Sequence, residues 1–223
     1  MKSGETPKQF DLIVFDWDGT LMDSAAAIVA SLQGACRDLA LPVPDDERAR
    51  YIIGLGLHDA LSHILPGLDP AHYPRVADRY RHHFLALDET TALFPGAAEM
   101  VAGLHGAGYQ LGIATGKSRR GLARALKATG LVAFFHASRC ADEGHTKPHP
   151  GMLQAVMHEL GARSDRTLMI GDTTHDLEMA RAAGVAALGV TYGAHAHGAL
   201  VACKPLACIG SVAELRDWLA AHG

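Results

Sequence analysis

Residues 10–21 read FDLIVFDWDGTL, and this stretch decides how the rest of the chain is interpreted. The run from Leu12 to Phe15 is short, unbroken and apolar, which is typical of a strand buried on both faces of a parallel sheet. Asp16 and Asp18 follow it directly. Because ligand sites in open α/β sheets lie at the carboxyl ends of the strands, this junction is a candidate site. Asp and Gly are also ordinary turn residues, so a plain turn stays open at this point.

The composition is that of an ordinary folded protein. The chain has 223 residues, 48% hydrophobic and 20% charged, which suffices for one large α/β domain or for a core domain with a smaller one. The formal net charge is −4 and no basic block occurs, so we expect no nucleic-acid surface. The polar start MKSGETPKQF and the short apolar run behind it fit neither a signal peptide nor a membrane span. We therefore expect a cytoplasmic protein without membrane association.

The cysteines and histidines form no recognisable metal motif. Cys36, Cys140, Cys203 and Cys208 have neither CxxC spacing nor the density of a disulfide scaffold, which predicts reduced, structural thiols. The 14 histidines are scattered, with His195 and His197 in a Gly/Ala loop, and neither HExxH nor Cys/His ligand spacing accompanies them. A zinc site is therefore disfavoured.

A long helical segment separates the first strand from the second. Its apolar residues recur at helical spacing and no alternating β pattern interrupts them. The predicted helices cover residues 23–39, 45–53, 57–65 and 70–87. Connections of this length are normally domains or lids. We predict a core domain from residues 1–22 and 94–223, and an inserted α-helical cap from residues 23–93 that lies above Asp16 as a substrate gate.

Beyond Pro95, strands and helices alternate. Strands are predicted at residues 109–115, 134–139, 167–170, 186–190 and 208–209, and helices at 96–105, 118–127, 150–160, 174–183 and 211–221. Such alternation indicates βαβ units with right-handed crossovers. The predicted fold class is α/β, a Rossmann-like doubly wound parallel sheet with an inserted helical cap.

Four polar clusters lie at the predicted strand ends or in a loop nearby. They are Asp16, Asp18 and Thr20; Thr115, Gly116 and Lys117; Lys147 and Pro148; and Gly171, Asp172 and Asp176. Because the carboxyl ends of parallel strands face one way, we expect these carboxylates to converge. Like charges a few ångström apart repel by kilocalories, so the site needs a cation. Mg²⁺ takes few carboxylates, keeps waters and leaves room for a phosphate oxygen, which makes it the expected cofactor.

Around such an ion the clusters support phosphoryl transfer. An Asp carboxylate can attack phosphorus and form an aspartyl phosphate, and a second Asp two positions on can exchange protons with the leaving alkoxide and with water. Thr115 and Lys147 would hold the other phosphate oxygens and neutralise developing charge. Considered alone, Lys147 is typical of an exposed lysine in a loop, and residues 171–176 (GDTTHD) are typical of the start of a helix. Their joint order in the chain favours a working site.

In this order the motifs resemble those of the haloacid dehalogenase superfamily, in its phosphoglycolate phosphatase-like branch. The resemblance rests on residues 16–20 (DWDGT), Thr115, Lys147 and residues 171–176 (GDTTHD), which are similar to the four motifs of the superfamily. It also includes the helical cap. The family's α/β core, helical cap and phosphatase activity are thus implied for this chain.

The resemblance implies a role for each motif residue. Asp16 would be the nucleophile and a magnesium ligand, and Asp18 the general acid/base and a ligand through its backbone carbonyl. Asp172 would be the third protein ligand. The implied supporting residues are Asp176, which orients metal waters or Lys147, and Thr20, while the implied phosphate-binding residues are Thr115, Gly116 and Lys147. Trp17 departs from many relatives, and we expect altered packing with intact chemistry.

Substrate specificity is less well marked in the sequence. The candidate contacts in the cap are Tyr51, Gly54, Leu55, Gly56 and His58, with Arg79, Tyr80 and Arg81 as outer options, and those that could reach in from the core are Lys117, Arg119 and Arg120. Arginine suits a carboxylate or a second phosphate because it donates two parallel hydrogen bonds. For each of these residues alone, a solvated helix face is the competing interpretation.

The resemblance implies a magnesium-dependent phosphatase for a small phosphorylated metabolite such as 2-phosphoglycolate, acting as a monomer or homodimer. A phosphosugar mutase is an alternative, although mutase relatives usually carry another residue in place of Thr20. Dehalogenation is disfavoured because that branch needs no magnesium and generally lacks the carboxylate that Asp18 supplies. A non-catalytic binding module with the same fold is the remaining alternative, and it is disfavoured because convergent carboxylates usually mark working sites.

Overall fold

A parallel β-sheet forms the centre of the molecule. The computed structural model describes residues 8–88 and 91–222, and in them the sheet has six strands in the order β3-β2-β1-β4-β5-β6. The strands are β1 (Leu12–Phe15), β2 (Gln110–Thr115), β3 (Ala137–Cys140), β4 (Thr167–Gly171), β5 (Ala186–Val190) and β6 (Ala207–Ile209). The predicted first strand thus lies in the middle of the sheet, between β2 and β4.

Helices cover both faces of this sheet. In the core they are α5 (Ala97–Gly106), α6 (Arg119–Thr129), α7 (Gly151–Leu160), α8 (Thr174–Ala182), α9 (His197–Ala202) and α10 (Val212–His222). Ile13 and Phe15 of β1 belong to the hydrophobic cluster that includes α5, α6 and α10. Leu12 and Val14 belong to the cluster with α7, α8 and α9, because successive strand residues point to opposite faces. The predicted α/β, doubly wound fold is confirmed.

The segment between β1 and β2 has a hydrophobic cluster of its own. It contains α1 (Ala25–Asp38), α2 (Asp46–Tyr51), α3 (Leu57–Ile64) and α4 (Tyr73–Asp88). The buried members of this cluster come from residues 25–84, together with Ala194. The chain enters and leaves this segment side by side, since the Asp23 amide donates to the Ala92 carbonyl and the Phe94 amide to the Leu21 carbonyl, both at 2.9 Å.

The division into a core of residues 1–22 and 94–223 and a cap of residues 23–93 stays a prediction, and the separate cluster agrees with it. Residues 1–7, 89–90 and 223, which those ranges include, lie outside the described part of the chain. None of the described helices combines the length and the apolar character that a bilayer-spanning helix needs.

Two predictions of local structure are wrong. Residues 134–136 are not strand, since Val132–Phe134 form a 3₁₀ turn and β3 begins only at Ala137. In this segment Phe135 serves packing, since its ring lies edge-on to Phe15 and Trp17. The Gly/Ala-rich segment after β5, predicted as a loop, contains the short helix α9. The glycines of this segment do not indicate a helix, but α9 is held in place because Leu200 is buried in the hydrophobic cluster with α7 and α8.

A core leucine tests this architecture. Leu111 in β2 is 0% exposed, so Leu111→Ala removes buried methylene groups and leaves a cavity. We expect the free energy of unfolding to fall by about 2–5 kcal/mol, measured by urea denaturation. Leu206→Ala at a position that is 54% exposed should cost less than about 0.5 kcal/mol. Equal losses in the two variants would contradict the assignment of Leu111 to the core.

Candidate active site

Lys147 joins two carboxylates at the centre of the site. Its Nζ lies 2.7 Å from Asp16 Oδ1 and 2.6 Å from Asp176 Oδ1, and all three side chains are at most 1% exposed. Asp16 directly follows β1, and its amide donates to the Ile170 carbonyl at the end of β4. Residues that are 131 and 160 positions beyond Asp16 in the sequence therefore meet it in the fold.

Asp172 lies beside this network with both oxygens held. Its Oδ1 accepts from Thr20 Oγ1 at 2.8 Å, and its Oδ2 accepts from the Ala194 amide at 2.7 Å. Gly19 makes room for it, because a Cβ at Gly19 would lie 2.1 Å from Asp172 Oδ2 and the backbone φ is +86°. The Gly19-Thr20 turn after β1 and the loop after β5 thus fix the Asp172 carboxylate together.

The three carboxylates of Asp16, Asp172 and Asp176 offer oxygens within 4.8 Å of one another. Burial and the neighbouring negative charges raise the pKa of Asp16 and of Asp172 above the ordinary carboxyl value, although Lys147 opposes the rise at Asp16. Burial lowers the pKa of Lys147, but the charges of Asp16 and Asp176 outweigh it and raise this pKa. One buried ammonium therefore faces three buried carboxyl groups, and ionising all three would leave an excess of negative charge.

The donor set of this cluster fits a hard divalent cation. Asp16 Oδ2 is buried and has no hydrogen-bond partner among the described residues. Every donor in the cluster is a carboxylate oxygen, which is the ligand type that Mg²⁺ prefers over nitrogen or sulfur. Asp176 is less available, because its Oδ2 already accepts from the Thr173 amide and hydroxyl at 3.1 and 2.7 Å.

Asp18 is held apart from the other carboxylates. Its carboxylate accepts from Lys117 Nζ at 2.9 Å and from Ser24 Oγ at 2.7 Å. The Lys117 ammonium also lies 4.8 Å from the ring centroid of Phe84 in α4. Asp18, the predicted acid/base residue, is thus positioned by Lys117, which follows β2, and by Ser24, which precedes α1. Phe84 of α4 in turn lies against Lys117.

The segment after β2 touches the cap directly. Thr115 is fully buried, and its Oγ1 accepts from the Lys117 amide at 3.2 Å. A Cβ at Gly116 would lie 2.6 Å from the carbonyl oxygens of Gly54 and Leu55. The glycine-rich cap turn and the predicted phosphate-binding segment therefore approach each other closely enough that only glycine fits.

A cavity of about 780 Å³ lies between cap and core and reaches Asp16 and Asp18. Most of the predicted specificity residues line it. These are Gly54, Leu55, Gly56 and His58 of the cap, Lys117 and Arg120 of the core, and Tyr80 and Arg81 among the outer options. Three others lie elsewhere. Arg119 binds Glu143 and Ser138, Arg79 pairs with Asp38, and Tyr51 packs against core histidines.

Tyr51 connects the cap to two histidines of the core, His175 and His195. Its carbonyl oxygen accepts from His175 Nε2 at 2.7 Å and from His195 Nε2 at 3.0 Å. Its ring stacks on His195 with centroids 5.5 Å apart and meets the edge of His175 at 5.1 Å. Burial lowers the pKa of both imidazoles, which favours the neutral form.

Sequence reasoning missed the contribution of the loop after β5. The Tyr192 hydroxyl donates to the Thr20 carbonyl at 3.1 Å, while the amides of Ala194 and His195 donate to Asp172. A signal was present, because this loop follows a strand of the same parallel sheet and therefore lies at the same edge. It lacked the acidic or lysine side chains that marked the four predicted clusters.

Comparison with known proteins places this chain in a family. Residues 13–190 match the family model described as haloacid dehalogenase-like hydrolase. A relative named "Probable phosphatase IndB" from Dickeya dadantii (strain 3937) is 39% identical over 211 residues, which cover 92% of this chain and 91% of the relative. A phosphoglycolate phosphatase from Salmonella typhimurium (strain LT2) is 31% identical over 218 residues, with 86% of each chain covered.

The fold is shared with solved structures as well. A hydrolase from Pseudomonas syringae matches 95% of this chain and 98% of its own with a TM-score of 0.88 at 24% identity. The family resemblance predicted from the motifs is confirmed by the family model and by the two relatives. The chain belongs to the haloacid dehalogenase-like hydrolase family.

Proposed function

We propose that this protein is a magnesium-dependent phosphatase that hydrolyses a small phosphomonoester through an aspartyl phosphate on Asp16. The phosphatase class is the one that both named relatives share, and the chain is an enzyme of that class. The metal, the intermediate and the substrate are the proposal. The observation that carries it is Asp16, a fully buried carboxylate beside the cavity with one oxygen against Lys147 and the other unpartnered among the described residues.

Asp16 is the proposed nucleophile. Its carboxylate oxygen attacks phosphorus, the bond from phosphorus to the ester oxygen breaks, and the alkoxide leaves with a proton from Asp18. Water then attacks the phosphoaspartate and gives its proton to Asp18, which releases inorganic phosphate and restores Asp16. Both steps balance in atoms and charge without a further reactant.

The cation would be held by Asp16, Asp172 and the backbone carbonyl of Asp18, as the family resemblance implies. When bound, Mg²⁺ offsets the repulsion between the carboxylates and an incoming phosphate. The protein's own side chains supply the rest of the positioning. Lys147 and Thr115 hold phosphate oxygens, Asp176 fixes Lys147 by its 2.6 Å contact, and Ser24 with Lys117 fixes the Asp18 carboxylate.

Replacing the nucleophile tests the mechanism. Asp16→Asn keeps the shape of the side chain but removes the attacking carboxylate, so we expect kcat to fall about a thousand-fold or more. The measurement is phosphate release from a panel of phosphomonoesters that includes 2-phosphoglycolate, with Mg²⁺ and with EDTA. Circular dichroism should show an intact fold. Asp23→Asn at an exposed position is the matched control and should keep full activity. Absence of metal-dependent turnover of every ester by the wild type would refute the proposal.

Metal binding has a readout that does not depend on turnover. Ligands that bind only the folded state stabilise it, by about 2.7 kcal/mol at a hundred-fold excess over Kd, so Mg²⁺ should raise the Tm of the wild type. Asp172→Asn should lose most of this rise, whereas Asp165→Asn in the surface pair with Arg163 should retain it. A similar rise in both variants would argue against Asp172 as a ligand.

The close approach of cap and core offers a third test. In Gly116→Ala the new methyl group would overlap the carbonyl oxygens of Gly54 and Leu55, which displaces the cap turn. We expect kcat/KM to fall about ten-fold or more, because displacements near 1 Å misalign reacting groups. Gly103→Ala on α5, where a Cβ meets nothing within 4 Å, should leave kcat/KM unchanged. Equal kcat/KM values for the two variants would show that the contact of Gly116 with the cap turn does not matter for turnover.

A further inference from the structure

We infer that the preferred substrate is a phosphomonoester whose alcohol part carries a ring-sized, mainly apolar body, rather than a two-carbon phosphorylated acid. This inference rests on the proposed phosphatase function and narrows its substrate class. Four observations carry it: the size of the cavity, the nature of its walls, the position of its cations, and the paired rings on one wall.

The cavity is much larger than a two-carbon acid requires. Its volume of about 780 Å³ lies in the range of roughly 300–1,000 Å³ that is usual for pockets enclosing drug-sized molecules. The phosphate of any substrate must sit beside Asp16, which leaves most of the remaining volume to the alcohol part. A phosphorylated two-carbon acid would leave that volume to water.

Much of the wall beyond the reaction centre is apolar and comes from the cap. Ile28 of α1 and Phe84 of α4 line the cavity from buried positions. Leu55 and Leu57 line it with partly exposed side chains, and Leu85 of α4 is 48% exposed. An apolar ligand that covers this exposed surface removes hydrocarbon from contact with water, which is a favourable gain in free energy. A small polar acid cannot obtain this gain.

The cations of the cavity are poorly placed for a carboxylate next to the phosphate. Among the described residues that line it, Lys117 is the one cation with a mostly buried side chain, 10% exposed, and it is already paired with Asp18. A substrate carboxylate near the reaction centre would have to compete with Asp18 for it. The arginines that line the cavity, Arg81, Arg120 and Arg124, are all exposed.

Aromatic side chains make one wall suited to a flat ring. The rings of Tyr80 and Phe84, one turn apart on α4, stack with centroids 5.7 Å apart, and both residues line the cavity. Aromatic ring pairs are stabilised beyond the area they bury. A substrate ring that lies beside α4 would contact this pair of rings.

A series of phosphate monoesters of primary alcohols tests the inference. We would measure kcat/KM with Mg²⁺ for ethyl phosphate, 2-phosphoglycolate, cyclohexylmethyl phosphate and benzyl phosphate. The two ring-bearing esters should exceed the two small ones about ten-fold or more, as expected for several methylene groups in a fitting apolar pocket. A higher value for benzyl than for cyclohexylmethyl phosphate would support the aromatic wall, and equal values would restrict the inference to an apolar body.

A matched pair of variants locates the preference in the cavity. Leu85 lines the cavity but is 48% exposed, so Leu85→Asp should fold while it places a charge on the apolar wall. We expect the ratio of kcat/KM for benzyl over ethyl phosphate to fall about five-fold or more. Leu206→Asp, at a leucine that is 54% exposed and not part of the cavity lining, should leave this ratio unchanged.

The outcomes separate the two claims. If no ester releases phosphate in the presence of Mg²⁺, the proposed function itself fails. If 2-phosphoglycolate or ethyl phosphate is turned over as well as the ring-bearing esters, the phosphatase stands and the inference about its substrate is wrong. An unchanged ratio in Leu85→Asp would also overturn it, because the preference would then not arise from this wall.

Discussion

The buried contact of Lys147 with Asp16 and Asp176 joins three segments that are far apart in the sequence. Removing one partner from a buried ion pair typically costs about 3–5 kcal/mol, because the other charge is left without compensation. The first strand, the loop before α7 and the start of α8 must therefore come together for the chain to fold around this site. One ammonium does not balance the three carboxylates of the cluster, and this imbalance makes the position suited to a divalent cation.

The cap completes the site rather than merely covering it. Its glycine-rich turn lies against Gly116, its helix α4 presents Phe84 to Lys117, and Tyr51 accepts hydrogen bonds from two core histidines. Three separate contacts thus couple the cap to the segments that carry the catalytic candidates. The same arrangement forms a cavity that reaches Asp16 and Asp18 at one end and is lined by many apolar side chains of the cap.

Much of the fold was predictable because its signals are local. The apolar run before Asp16 identified the central strand, and the spacing of apolar residues identified the helices of the cap. The prediction was wrong where a residue's role depends on distant partners. The sequence predicts a strand at residues 134–139, yet Phe135 packs edge-on against Phe15 and Trp17, and α9 is held by Leu200 in a segment predicted as a Gly/Ala loop. Of the predicted specificity residues, Arg119 is bound to Glu143, a partner that spacing does not reveal.

By itself, the sequence determined the motif residues, the parallel sheet that brings their strand ends to one edge, and the family that this order of motifs resembles. This information lies in the types of neighbouring residues and in the spacing of apolar residues, which can be read without knowing the fold. Only the tertiary structure decided which carboxylates share a site. Asp176 joins Asp16 and Asp172 through Lys147, whereas the side chain of Asp18 binds Lys117 and Ser24. The tertiary structure also decided the size and hydrocarbon lining of the cavity, because both arise from side chains that meet only when cap and core pack together.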